Sequence, residues 1–180
     1  MKTIAVMSRK GGAGKSTLAV HLATAAAAAG KRVMLVDMDP QRSSLEWARE
    51  RRAEWPVVIE GRAGALFTTH RAAERQHVEL LIVDTRSSAD AEAAEAARLA
   101  ELCLIVVRPN FFDLQPLGRT VQLVANMGRP GLFVLNQAPV RRNGVEPRVI
   151  RDAVHHLACH GFDLAEVGLR QRTAYQTAMW

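Results

Sequence analysis

Arg9-Lys10-Gly11-Gly12-Ala13-Gly14-Lys15-Ser16-Thr17 joins an apolar run over residues 3–8 to an alanine-rich run over 16–29. The first run predicts a buried strand, and Leu18 and Leu22 at i, i+4 in the second predict a helix. Three glycines within Gly11–Gly14 let successive backbone N–H groups curl around an anion that side chains would keep away. The helix that follows points its positive end at the same place. An ammonium at Lys15 and a hydroxyl at Ser16 suit phosphate oxygens and a divalent cation. The competing reading is a plain glycine turn, and strand, helix and the Gly-Lys-Ser triplet together weigh against it.

Outward from this loop, short unbroken apolar runs recur at 32–37, 57–59, 79–84, 102–107 and 131–135. They are rich in β-branched residues and end on polar residues, as strands buried on both faces of a parallel sheet do. Helical segments are expected between them at 41–53, 89–100 and 113–127, with Asp39-Pro40 as cap and first-turn proline of the first. Alternating strands and helices predict an α/β fold. It is a doubly wound, mostly parallel sheet with helices on both faces, and ligands bind outside the carboxyl ends of its strands.

The 180 residues suit one domain over 1–180. Twenty-four basic against 18 acidic residues leave +6, and only Lys2, Lys10, Lys15 and Lys31 are lysines. Such a mild excess admits an anionic partner without naming it. No apolar run approaches the roughly 20 residues of a membrane span, and residues 1–6 do not read as a secretory leader. Cys103 and Cys159 are too few for a cysteine metal centre and read as reduced packing residues of a cytoplasmic protein.

Gly14-Lys15-Ser16 is the end of a P-loop, although Arg9 stands where that motif has its first glycine. With Lys10 as signature lysine, residues 10–17 resemble the deviant Walker A motif of the ParA/MinD family of P-loop ATPases. The resemblance implies ATP and Mg²⁺ as cofactors, bound by Lys10, Gly11, Gly12, Ala13, Gly14, Lys15, Ser16 and Thr17. It also implies a homodimer in which each Lys10 reaches the phosphates held by the other subunit, a positive charge in trans. The run Val33–Gln41 resembles the family's Asp-x-Asp-Pro-Gln motif. Asp39 is then expected to align the attacking water and Asp37 to join Ser16 and Asp84 around the metal. Residues 80–85 (LLIVDT) resemble a Walker B strand ending in Asp84, followed here by Arg86-Ser87-Ser88 where the family commonly has prolines. Asn136, ending the run 133–139, is expected at the adenine. Lys10, Lys15 and Asp39 are thus the expected catalytic set. The tail 168–179 looks like the last strand-to-helix turn of short plasmid-type members, and the stop at Trp180 suits either a short member or a shortened chain lacking a C-terminal helix.

The expected function is an ATP-driven positioning switch. The dimer coats nucleoid DNA without sequence preference, and a ParB-like activator on a plasmid, chromosome origin or protein cluster stimulates hydrolysis. Arg141, Arg142, Arg148, Arg151, Arg170 and Arg172 are the candidate DNA contacts, with a solvated surface as the competing reading of each. A MinD-like membrane switch is less favoured, because residues 170–180 place few apolar residues on one face. The remaining alternatives are an ATP-dependent small-molecule ligase of the same fold and a nonhydrolysing interaction module.

Overall fold

Hydrogen bonding of β-branched runs along both edges builds a seven-stranded parallel sheet, ordered β3-β2-β4-β1-β5-β6-β7. The computed structural model describes residues 1–51, 53–87, 90–172 and 175. Its strands are β1 (Lys2–Met7), β2 (Val33–Asp37), β3 (Val57–Glu60), β4 (Leu80–Asp84), β5 (Leu102–Val107), β6 (Gly131–Leu135) and β7 (Asp163–Leu164). Six of these match the apolar runs. The two-residue β7 has no apolar run to announce it and pairs only through Leu132–Asp163 and Phe133–Leu164.

Each central strand sends alternate residues to opposite faces, and each face has its own core. Val6, Leu35, Ile82, Leu104 and Val134 pack against Leu18, Ala19 and Ala23 of α1 (Lys15–Ala28), with Trp47 of α2 (Ser43–Glu50) beside them. Ala5, Met7, Val36, Val83, Ile105 and Phe133 face the other way. There they meet α3 (Leu66–Arg75), α4 (Asp90–Leu99), α6 (Leu117–Asn126) and α7 (Arg148–Ala158). The short α5 (Phe111–Leu114) is capped by Asn110, whose side chain accepts from the Asp113 N–H at 3.0 Å.

Three expectations need correction. Asp39-Pro40 does not open α2: Pro40 and Gln41 form a turn, and Arg42, at φ 53°, precedes the first helical residue. The cap comes from Asp37, whose Oδ2 accepts from the N–H groups of Ser44 (2.9 Å) and Leu45 (3.0 Å). The helix expected over 113–127 is split by Pro116, which lacks the N–H an unbroken helix needs. Cys103 is buried as expected, but Cys159 is exposed rather than a core residue. Beyond Arg172 only Tyr175 is described, so half of the expected tail turn over 168–179 lies outside the described residues, as does Ser88 of the run after Asp84, which the family resemblance implies is the switch that senses the γ-phosphate.

Candidate nucleotide-binding site

The strand order places β1 between β4 and β5, so the loop after β1 opens at the centre of the sheet's carboxyl edge. Asp37 and Asp84 end β2 and β4 and sit opposite one another in register. The sheet itself therefore brings two of the expected carboxylates to the loop.

Gly12 (φ 72°) and Gly14 (φ 89°) are left-handed, a conformation that a Cβ disfavours. At Gly14 the need is also spatial: a Cβ there would fall 2.0 Å from Asn136 Nδ2. Asn136 is buried, and its Nδ2 donates to Ala13 O at 2.7 Å while its Oδ1 accepts from the Gln137 N–H at 2.9 Å. Gln137, itself left-handed at φ 52°, donates from Nε2 to Gly12 O at 2.9 Å. The end of β6 thus braces the loop from behind. Asn136 meets the loop backbone through these bonds, which makes it a brace of the phosphate cradle whatever it contacts in a nucleotide.

The two lysines of the loop differ in exposure. Lys15 is 6% exposed, and its Nζ donates to Ser87 Oγ at 2.5 Å. Burial lowers its pKa, opposed by the charges of Asp84 and Asp39. Lys10 is exposed and shares an open groove with Phe112 and Arg119. Arg9, in the place of the motif's first glycine, is ion-paired with Asp90 at the start of α4.

Asp84 is fully buried, and Ser44 Oγ donates to its Oδ2 at 2.9 Å. Its Oδ1 is buried with no hydrogen-bond partner among the described residues. Burial, and next to it the charge of Asp37, push its pKa up to about 6, while the Ser16 and Ser44 hydroxyls and Lys15 pull the other way. An orphaned carboxylate oxygen beside the Ser16 hydroxyl is the donor set a hard cation takes, so the residues present fit Mg²⁺ and its waters. Asp37 is raised too, first by burial, against the N–H donors of Leu45, Asp39 and Ser44. Its Oδ1 accepts from the Asp39 N–H at 3.0 Å, so both its oxygens already hold the backbone of this corner. Asp39 is partly exposed, and its Oδ1 accepts from the Gln41 N–H at 3.0 Å, which leaves the carboxylate at the rim of the site.

The structure therefore gathers Lys15, Ser16, Asp37, Asp39, Asp84 and Asn136 around one loop, while Lys10 on that loop is exposed to solvent. Ser44 and Gln137 were not foreseen, and Ser87 was singled out only as part of the run after Asp84, not as a partner of Lys15. Small polar residues outside any recognised motif carry no signal until the fold brings them to the loop.

Of the six candidate arginines, three are already engaged. Arg170 donates to both oxygens of Glu146 (2.5 and 2.8 Å), Arg141 reaches Glu146 at 2.7 Å, and Arg148 pairs with Asp152 at 3.5 Å. Arg142, Arg151 and Arg172 are exposed and make no ion pair among the described residues. No helix of the described residues is long and apolar enough to cross a membrane.

Comparison with known proteins agrees with this geometry. Residues 4–158 match the CobQ/CobB/MinD/ParA nucleotide binding domain family. The chain is 30% identical to the Protein ParA of Rhizobium radiobacter over 97% of its own length and 81% of the relative's. It is 33% identical to the maintenance of carboxysome distribution protein A of Gloeobacter kilaueensis, over 98% of this chain and 80% of that one. Among solved structures, the MinD cell division protein of Aquifex aeolicus shares the fold with a TM-score of 0.75 at 19% identity, covering 99% of this chain and 86% of that one. The chain belongs to the CobQ/CobB/MinD/ParA family of nucleotide-binding domains and is an ATPase of its ParA/MinD type.

Proposed function

We propose that this ATPase is a dimerising switch that positions a cargo. ATP closes two copies face to face, the closed dimer holds DNA without sequence preference, and a cargo-bound partner stimulates hydrolysis and release. The observation that carries this reading is the contrast in exposure between the two loop lysines. Lys15 is buried in its own site, whereas Lys10 stands exposed on the same loop, in a groove with Phe112, whose ring contacts Phe111. An exposed lysine in a phosphate loop whose other lysine is buried suits a phosphate brought by a second copy. An adjacent exposed aromatic pair suits a surface that becomes covered.

The chain's own residues divide the work. The N–H groups of the loop at Gly11–Ser16 wrap the phosphates, and Lys15 exchanges Ser87 for phosphate oxygens. Ser16 and Asp84 hold the cation and its waters, while Asp37 fixes the turn that carries Asp39. Mg²⁺, when bound, draws charge from the phosphate oxygens and lowers the barrier to their transfer. Asp39, at the rim, aligns water for in-line attack, and Lys10 of the second copy offsets the charge that develops.

DNA binding falls to Arg142, Arg151 and Arg172, the three candidates left outside ion pairs, doubled by dimerisation. Two of the curated relatives above are named for ParA and for carboxysome distribution, which supports a cargo-positioning role over a small-molecule ligase. DNA affinity of the ATP-loaded protein, measured as salt is raised, tests this part. We expect log affinity to fall by about 0.9 per phosphate contact for each log unit of salt. Affinity that stays flat would remove DNA from the account.

A further inference from the structure

Thr85, Ser87 and Asp90 follow the β4 carboxylate, and each is tied to β1 or to the loop after it. At one end the Thr85 N–H and hydroxyl both donate to Val6 O, at 3.2 and 2.9 Å. At the other, Asp90 is ion-paired with Arg9. Between them Ser87 Oγ accepts from Lys15 Nζ at 2.5 Å. Neither end tie uses a group that a phosphate needs, but the middle one does. Lys15 is the cation of the loop, it is buried, and of its three N–H groups the one given to Ser87 is withheld from a phosphate oxygen while that bond stands.

We propose that Ser87 is the resting partner of Lys15, a positioning residue that keeps the buried ammonium in the site and competes with the β-phosphate of a nucleoside diphosphate or triphosphate for it. This rests on the reading of Lys15 as the phosphate lysine. A buried ammonium without a partner is costly, so the empty site needs an acceptor. The neighbouring carboxylates Asp84 and Asp39 act on Lys15 by charge, but among the described residues its one hydrogen bond goes to Ser87. The hydroxyl of Ser87 is neutral and gives way to phosphate more readily than a carboxylate would. A proline at position 87 could offer Lys15 no side-chain acceptor at all. Serine here therefore sets the loop's affinity for polyphosphates through the cost of releasing Lys15.

The test is binding of ADP and AMP, with Mg²⁺, to the full chain and to Ser87→Ala, Ser87→Thr and Lys15→Ala. Ser87→Ala should bind ADP more tightly, by roughly tenfold, because no hydrogen bond to a charged group need be broken first. Ser87→Thr, which keeps the hydroxyl, should match the wild type. AMP, which has no β-phosphate, should bind all three alike. Unchanged or weaker ADP binding by Ser87→Ala overturns the proposal, as does an equal gain for AMP or a gain in Ser87→Thr equal to that of Ser87→Ala. Lys15→Ala separates the two layers. If it binds ADP as the wild type does, the phosphate-lysine reading itself fails. If it loses ADP while Ser87→Ala is unchanged, only the role of Ser87 fails.

Discussion

Gly14 shows how a single residue can be required twice. Its φ of 89° disfavours a side chain, and Asn136 occupies the place where a Cβ would go. Gly14→Ala should therefore lose nucleotide binding and destabilise the protein by about 1–3 kcal/mol, read from urea unfolding and ADP titration. Asn136→Ala should cost about 1–3 kcal/mol, because the Ala13 carbonyl is left without its donor. It should also weaken ADP binding, since the loop loses its brace. Stability at the wild-type level would show that the brace is ornamental. Asp84 adds a pH dependence. Its pKa is raised from 3.8 to about 6, so without nucleotide it keeps a proton that an unfolded chain would have released. Between these values the folded state holds more protons, and this group's contribution to stability falls as pH rises. A cation takes only the ionised form. Mg²⁺-dependent nucleotide affinity should therefore weaken as pH is lowered from 7.5 through 6 to 5, and Asp84→Asn should lose that dependence along with most of the Mg²⁺ requirement. A flat profile in the wild type would count against Asp84 as a metal-side residue.

At the scale of elements, Asp37 caps α2 through the N–H groups of Ser44 and Leu45. Asp37→Ala should lower the urea midpoint even without nucleotide or Mg²⁺, by the ~1 kcal/mol typical of a lost cap. No change in the nucleotide-free protein would leave Asp37 with the metal alone. A second element-level device is the clasp of Glu146 between Arg141 and Arg170, which ties the loop at 139–147 to the chain at 170. The hydrogen bonds from Arg170 and then Arg141 hold the Glu146 carboxyl down at about 2. Whatever it adds to stability is complete above its ordinary 4.5 and lost as pH falls towards 2. The difference in stability between wild type and Glu146→Gln should therefore be constant from pH 7 to 5 and shrink below 4, as thermal melts across that range would show. Legibility in the sequence follows from the same physics. Six strands could be read because strands buried on both faces are apolar without interruption. Helix α3 could not, because LFTTHRAAER buries only Leu66 and Ala73 of its ten residues. Helix α7 has Ile150, Ala153 and Leu157 at i, i+3 and i+7, a periodicity obscured by its charged and histidine neighbours. The phosphate loop and its carboxylates were legible since their chemistry demands particular residues at particular spacings. Ser44, Ser87 and Gln137 act through folded proximity, which spacing does not encode.

The whole molecule gathers its candidate nucleotide-site residues at the carboxyl edge of a single sheet, with one loop lysine buried and the other exposed. The surplus of positive charge divides accordingly. In the proposed reading Lys10 and Lys15 serve phosphate chemistry, and three of the six candidate DNA arginines are paired with carboxylates, leaving a small patch on each copy. A grip of that size is suited to release, because each lost contact removes a large share of the affinity. Replacing Arg142 and Arg151 together by alanine should weaken DNA binding by the ATP-bound dimer and reduce its salt slope, while leaving ATP binding intact. Equal DNA affinity in that variant would move the interface elsewhere. The central claim is that ATP joins two copies through Lys10. It is tested most directly by the mass in solution, from light scattering on a sizing column, of the hydrolysis-slowed Asp39→Ala protein with Mg²⁺ and either ATP or ADP. The mass should double with ATP and stay that of one chain with ADP, and adding Lys10→Ala should abolish the doubling while ATP still binds. A single-chain mass with bound ATP, or a dimer indifferent to Lys10→Ala, would contradict the account.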